Sequence, residues 1–165
     1  MKHVLYYSLL FLAVVFCACQ PDTVCRQTDL EVRMACTLRA DSVTAAGQKV
    51  YYSVWDSITV FAVGSDSIVH DNAKNLKTLR LPLRDEVDTT TFVILCHDKT
   101  DTLRAYYTSR RIFVSVECGC VYYHDLDSIF YTSNWIDTVL VTHREVNRRS
   151  AENLRLVHHH KTTDE

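Results

Sequence analysis

Short runs in which apolar and polar residues alternate recur along this chain at spacings of roughly ten residues, the rhythm of an all-β domain. Residues 29 to 40 (DLEVRMACTLRA) set the pattern. Leu30, Val32, Met34 and Cys36 fall on one side of an extended chain, with Glu31 and Arg33 opposing them. The stretches 57 to 63 (SITVFAV) and 76 to 83 (LKTLRLPL) repeat it, and Pro82 suits an edge or a strand end, where a missing N–H costs nothing. TFVILC at 91 to 96, TLRAYYT at 102 to 108, RIFVSVECGC at 111 to 120, VYYHDLDSIFYT at 121 to 132 and DTVLVTHREV at 137 to 146 follow closely. All are rich in β-branched and aromatic residues. Residues 144 to 156 carry a weak helical pattern, but ENLRLVH reads better as a last strand. The expected fold is all-β: a single antiparallel β-sandwich, immunoglobulin-like in general architecture.

One local element recurs without a fixed period: Asp, then Ser or Thr, then an aliphatic residue. It occurs at Asp41, Asp56, Asp66, Asp101, Asp127 and Asp137. The irregular spacing excludes a solenoid or propeller. The physical reading is a turn leading into a strand, with the carboxylate bonding its own backbone. A calcium site is disfavoured, because no DxDxDG spacing is present.

The N-terminus breaks the β rhythm. Residues 1 to 19 (MKHVLYYSLLFLAVVFCAC) have a basic start, an apolar run from Leu9 to Phe16, and small Ala18 directly before Cys19. This is the form of a secretory signal, too short for the 20 or so apolar residues of a membrane span. Bacterial lipoprotein signals usually place Leu three before the modified cysteine and a small residue two before it. Here those positions hold Phe16 and Cys17, a partial fit. Cys17 is the poorer site, since bulky Phe16 precedes it, so Cys19 is the expected lipidation site, with membrane attachment through its acyl chains. An ordinary secretory signal, leaving a soluble exported protein, is the alternative.

Charge and cysteine count narrow the function classes. The chain carries 18 Lys and Arg against 20 Asp and Glu, and removing the signal takes away only Lys2. No basic stripe exists for nucleic acid. With 47% hydrophobic residues and only 3 Gly and 2 Pro, the mature chain is neither disordered nor low-complexity. Of 7 cysteines, Cys17 leaves with the signal and Cys19 is the lipid site; Cys25, Cys36, Cys96, Cys118 and Cys120 remain as disulfide candidates. Their number is odd, so one thiol is left over or pairs with another molecule.

Cys118-Gly119-Cys120 is the sharpest local constellation, because residues two apart on a strand face the same side. A redox pair or soft-metal site is one reading. The preferred one has Cys118 or Cys120 bonded to Cys25, fastening the start of the mature chain to a central strand; the remaining sulfur could meet Cys36 or Cys96, or those two could pair. No zinc-type ligand count, HExxH spacing or GxSxG elbow occurs, so no catalytic residue, metal or cofactor is expected. None of His70, His97, His124 and His143 sits at metal-ligand spacing; His97 and His124 are read as surface or hydrogen-bonded residues, and the triplet His158 to His160 as a solvated tail. Aromatics gather at Tyr51, Tyr52 and Trp55, at Tyr106 and Tyr107, and from Tyr122 through Phe130 and Tyr131 to Trp135. In adjacent pairs one ring faces in and one out, which supplies core packing and, as a second reading, a binding face for a glycan or protein.

The signal, Cys25, WDSITVFAVGSDSIVHDN (55 to 72), LRLPL (79 to 83), TTTFVI (89 to 94) and VSVECGCVYYHDLDSI (114 to 129) together resemble a family of small uncharacterised bacterial envelope lipoproteins with an ECGC element in the C-terminal half. The resemblance implies export, lipidation and a β-rich single domain, and adds no catalytic residue. The expected organisation is a signal peptide (1–18), a lipidated tether (19–28), a β-sandwich (29–157) and a polar tail (158–165). The expected function is a non-catalytic, lipid-anchored interaction or accessory subunit of the bacterial envelope, at the outer membrane, with a possible envelope protein as partner. The alternatives are a small-ligand or glycan-binding β domain, or a thiol/disulfide protein using Cys118 and Cys120.

Overall fold

In a computed structural model, residues 30–44, 47–52, 54–116, 118–149 and 152–159 are described; Cys17, Cys19 and Cys25 lie outside them. Among the described residues, eleven strands follow one another: β1 (Arg33–Thr44), β2 (Gly47–Tyr52), β3 (Ile58–Ala62), β4 (Ile68–Ala73), β5 (Thr78–Pro82), β6 (Thr89–Cys96), β7 (Lys99–Ser115), β8 (Gly119–Tyr131), β9 (Thr138–Val141), β10 (Glu145–Val146) and β11 (Leu154–His159). They form two sheets, consistent with an all-β sandwich. One runs β2-β1-β11-β9, with β5 beside the first half of β1; the other runs β10-β8-β7-β6-β3-β4.

Alternation explains which sheet faces meet. Met34, Cys36 and Leu38 of β1, Leu79 and Leu81 of β5, and Leu154 and Leu156 of β11 are fully buried from one side. Ile58 and Val60 of β3, Phe92, Ile94 and Cys96 of β6, and Leu103, Ala105 and Tyr107 of β7 close the core from the other. Residues between them, such as Thr91, Arg104 and Tyr106, face outward.

Four details depart from the sequence reading. TLRAYYT and RIFVSVECGC form one strand, because Ser109 and Arg110 make no turn and a bulge at Tyr106/Tyr107 takes up the irregularity. Conversely, 137 to 146 splits into β9 and β10, since the Thr142 and His143 amides both donate to the Asn153 carbonyl. The sandwich is not wholly antiparallel: β1 and β11 run parallel, with Leu38 opposite Leu156. β4, which the sequence reading does not mark as a strand, is an edge strand exposed along much of its length. Pro82 does end β5, as expected.

The Asp-Ser/Thr element fills two roles. At Asp56 and Asp137 it leads into a strand, and Asp56 caps the Asn75 amide (3.0 Å). Asp101 instead lies inside β7, 1% exposed, accepting hydrogen bonds from Thr132 Oγ1 (2.7 Å) and from the amides of Asn134 (2.8 Å), Trp135 (2.7 Å) and Ile136 (2.9 Å). Burial raises the pKa of this carboxyl, and the four hydrogen bonds outweigh that, holding it below its ordinary value. The carboxylate thereby fixes the β8–β9 connection.

Candidate functional site

The outward residues of β7 and β8 form the most exposed aromatic surface of the second sheet. Because Leu103, Ala105 and Tyr107 turn into the core, Thr102, Arg104 and Tyr106 must turn out; Arg104 pairs in register with Phe130 and with Thr91. Phe130 is 61% exposed, and its ring meets Tyr106 edge-on at 5.7 Å. Arg104 Nε donates to Thr91 Oγ1 of the neighbouring β6 at 3.1 Å. Thr102, Arg104, Tyr106, Phe130, Tyr131 and Thr132 line a shallow groove of about 340 Å³. Rings, hydroxyls and one cation can stack on and hydrogen-bond a sugar or a peptide.

A second cluster sits under the loop after β5. Tyr107 lies in the core with its hydroxyl 2.6 Å from Thr90 Oγ1; that hydroxyl donates to the Arg84 carbonyl and accepts from the Arg84 amide, both at 3.0 Å. His124 packs edge-on against the Tyr107 ring at 5.1 Å, with Nδ1 2.8 Å from Ser109 Oγ and Nε2 3.8 Å from Asp85 Oδ1. Serine, histidine and aspartate therefore do meet, which abundance in the sequence alone could not establish. The imidazole is 1% exposed. Burial lowers its pKa, opposed by Asp85 and Asp125, so it is neutral at physiological pH. Ser109 opens on a broad groove of about 590 Å³ walled by Asp85, Glu86 and Asp88, while the imidazole is sealed behind it. We read the cluster as a latch that joins the 84–88 loop to β7 and β8.

The histidine tail also departs from expectation. His158 is not solvated: it ends the buried part of β11, 8% exposed, stacked on Trp135 at 4.9 Å and edge-on to Trp55 at 5.5 Å. His97, at φ 56° in the β6–β7 turn, meets the Trp135 ring edge-on at 5.6 Å. These four rings close one end of the sandwich. His160 and the Tyr51 and Tyr52 side chains lie outside the described residues. Among the described residues no group of three or more His, Cys, Asp or Glu stands close enough to hold a metal.

The cysteines separate into two kinds. Cys36 and Cys96 are buried free thiols facing the core from opposite sheets, and Cys120 is an exposed free thiol, so pairings among these three are not made. Burial drives the Cys36 thiol pKa strongly upward; burial and then the Asp101 charge push that of Cys96 up to about 11. Cys118 is disulfide-bonded. It lies in the turn between β7 and β8, its amide held by Ser115 Oγ at 3.1 Å. Arg110, in the same hairpin, is engaged elsewhere, with Asp125, Glu145 and the Tyr123 ring.

Asn153 was not singled out by sequence reasoning. It is 3% exposed; its Oδ1 accepts from the Ala35 amide (3.0 Å), and its Nδ2 donates to the carbonyls of His143 (3.1 Å) and Glu145 (2.9 Å). No local pattern announces such a bridge between β1, β10 and β11.

Comparison with known proteins adds one fact. The model of a family of unknown function, DUF6452, matches residues 57–158. The chain belongs to this family. The matched span of DUF6452 begins one residue before β3 and runs into β11, so it takes in the aromatic groove, the His124 latch and the Cys118 hairpin. No curated protein and no solved structure matches the chain.

Proposed function

We propose that this DUF6452 member is an exported lipoprotein of the bacterial envelope, cleaved before Cys19, acylated there and held at the outer membrane. It serves as a non-catalytic interaction or accessory subunit. The carrying observation is the aromatic groove on β7 and β8: Phe130 is 61% exposed beside Tyr106 on a sheet face that no other part of the described fold covers. The resemblance to ECGC-bearing lipoproteins supports the anchor.

We further propose Cys25 as the partner of Cys118. Support comes from elimination: the other three described cysteines are free thiols, Cys17 leaves with the signal and Cys19 is the lipid site. The pairing would staple the tether to the β7–β8 hairpin.

The second reading, glycan or small-ligand binding, draws on the same groove, whose volume of about 340 Å³ is at the lower end for ligand sites. In-cell photocrosslinking separates the two. A crosslinker at Phe130 is expected to yield a discrete protein adduct, absent when the crosslinker stands at exposed Val63 on the β3–β4 turn. Absence of any adduct at Phe130, with glycan binding abolished by Tyr106→Ala, would reverse the order of the readings.

A further inference from the structure

We propose that Cys118-Gly119-Cys120 is a thiol–disulfide exchange site, in which the free thiol of Cys120 attacks the Cys118 disulfide and takes the place of its partner. Three observations meet at this hairpin. Cys118 is disulfide-bonded, and Cys120, two residues along, is an exposed free thiol. Cys36 and Cys96 are sealed in the core, so among the described thiols Cys120 alone is exposed next to that bond.

Geometry supplies the third. Two residues of fully extended strand hold their Cα atoms about 6.6 Å apart, barely inside the limit of about 6.8 Å for bridging cysteines. Gly119 at φ 69° takes the chain out of extension between them, which shortens that separation.

The step is redox-neutral. Cys120 loses its proton to solvent, and its sulfur attacks Sγ of Cys118. A Cys118–Cys120 bond forms while the bond from Cys118 to its partner breaks, and the partner sulfur leaves as a thiolate that takes up a proton. A disulfide spanning one residue is strained, so the original pairing dominates at rest and the exchanged form is a minor, oxidising species. Such a site lets an external thiol protein of the envelope, or a change in thiol supply, free the segment bound to Cys118. The proposal needs only the states of Cys118 and Cys120, and holds whether or not Cys25 is the other half.

The test uses the full mature protein extracted from membranes without reductant. After incubation at about pH 8.5, where an ordinary thiol is substantially ionised, the sample is quenched in acid, alkylated and mapped by peptide mass spectrometry without reduction. Two populations are expected: Cys118 with its original partner and Cys120 alkylated, and Cys118 joined to Cys120 with the partner alkylated. Cys120→Ser should show the first alone, and its release of the partner thiol by reduced glutathione should be slower by roughly tenfold. A single pairing of Cys118 in the wild type, with Cys120 fully alkylated and glutathione release unchanged by Cys120→Ser, would overturn the proposal; so would a free Cys118 in the starting material. The Cys19 peptide in the same digest reports lipidation separately.

Discussion

Replacing Asp101 with Asn removes a charge while nearly preserving shape, and so isolates what the buried carboxylate does. The wild-type group accepts four hydrogen bonds, two at each oxygen: Thr132 Oγ1 and the Asn134 amide at Oδ1, the Trp135 and Ile136 amides at Oδ2. An Asn side chain keeps one oxygen as acceptor and turns an NH₂ toward the other two donors. With the oxygen kept toward the Trp135 and Ile136 amides, the NH₂ meets the Thr132 hydroxyl, which can rotate to accept, and the Asn134 amide, which is left facing a donor at a cost of about 1–3 kcal/mol, while the remaining bonds lose their charge assistance. Since 136–137 is tied to β11 through the Asp137 amide and the Val157 carbonyl (2.9 Å), relaxation is limited. A net loss of about 3 kcal/mol is expected, which for a domain of this size lowers Tm by roughly 6–12 °C. The pH dependence carries the sign. A carboxylate whose folded pKa is depressed contributes stability that is present above its unfolded pKa, near 3.9, and is lost as pH falls through the lower folded value. The gap between wild type and Asp101→Asn in urea unfolding should therefore be full at about pH 7 and shrink below about pH 4. A gap under about 0.5 kcal/mol at neutral pH, or one that stays constant into acid, would refute the assignment.

Three further outcomes follow from the same structure. His124 is buried neutral with a lowered pKa, so the unfolded chain binds the extra proton; melting temperature should fall as pH drops below the ordinary histidine value of about 6.5, and His124→Gln should flatten that slope in thermal melts at several pH values. With Cys36 and Cys96 in the core, a thiol reagent added to the native protein should modify Cys120 at once and the other two only on unfolding, read by timed alkylation and peptide mapping. His158→Ala removes the ring stacked on Trp135 and should lower stability by about 1 kcal/mol or more while shifting Trp emission, whereas a tail as solvated as the sequence suggests would leave both unchanged.

The sequence was most readable where a residue's neighbours decide its state. Met34 and Cys36 of β1 alternate with Arg33 and Thr37, and both the strand and its buried face were visible in that alternation. Pro82 marked a strand end for the same local reason. What stayed hidden depended on distant partners. Asp101 looks like the other Asp-Thr and Asp-Ser turns, and only the return of residues 132–136 to β7 makes it a buried acceptor. His158 sits in a run that reads as tail until Trp55 and Trp135, far back in the chain, are placed beside it. The Ser109–His124–Asp85 contact joins three regions with no shared motif. The parallel pairing of β1 with β11 likewise leaves no trace in either strand, since parallel and antiparallel neighbours ask for the same apolar face.

The central claim is a lipid-anchored envelope protein, and the most direct measurement is peptide-level mass spectrometry of the N-terminus of protein extracted from the membrane fraction. The account predicts a mature chain that begins at an acylated Cys19, and a Cys19→Ala variant that leaves that fraction. A mature N-terminus elsewhere, with Cys19 unmodified or absent and the protein in the soluble fraction, would contradict it.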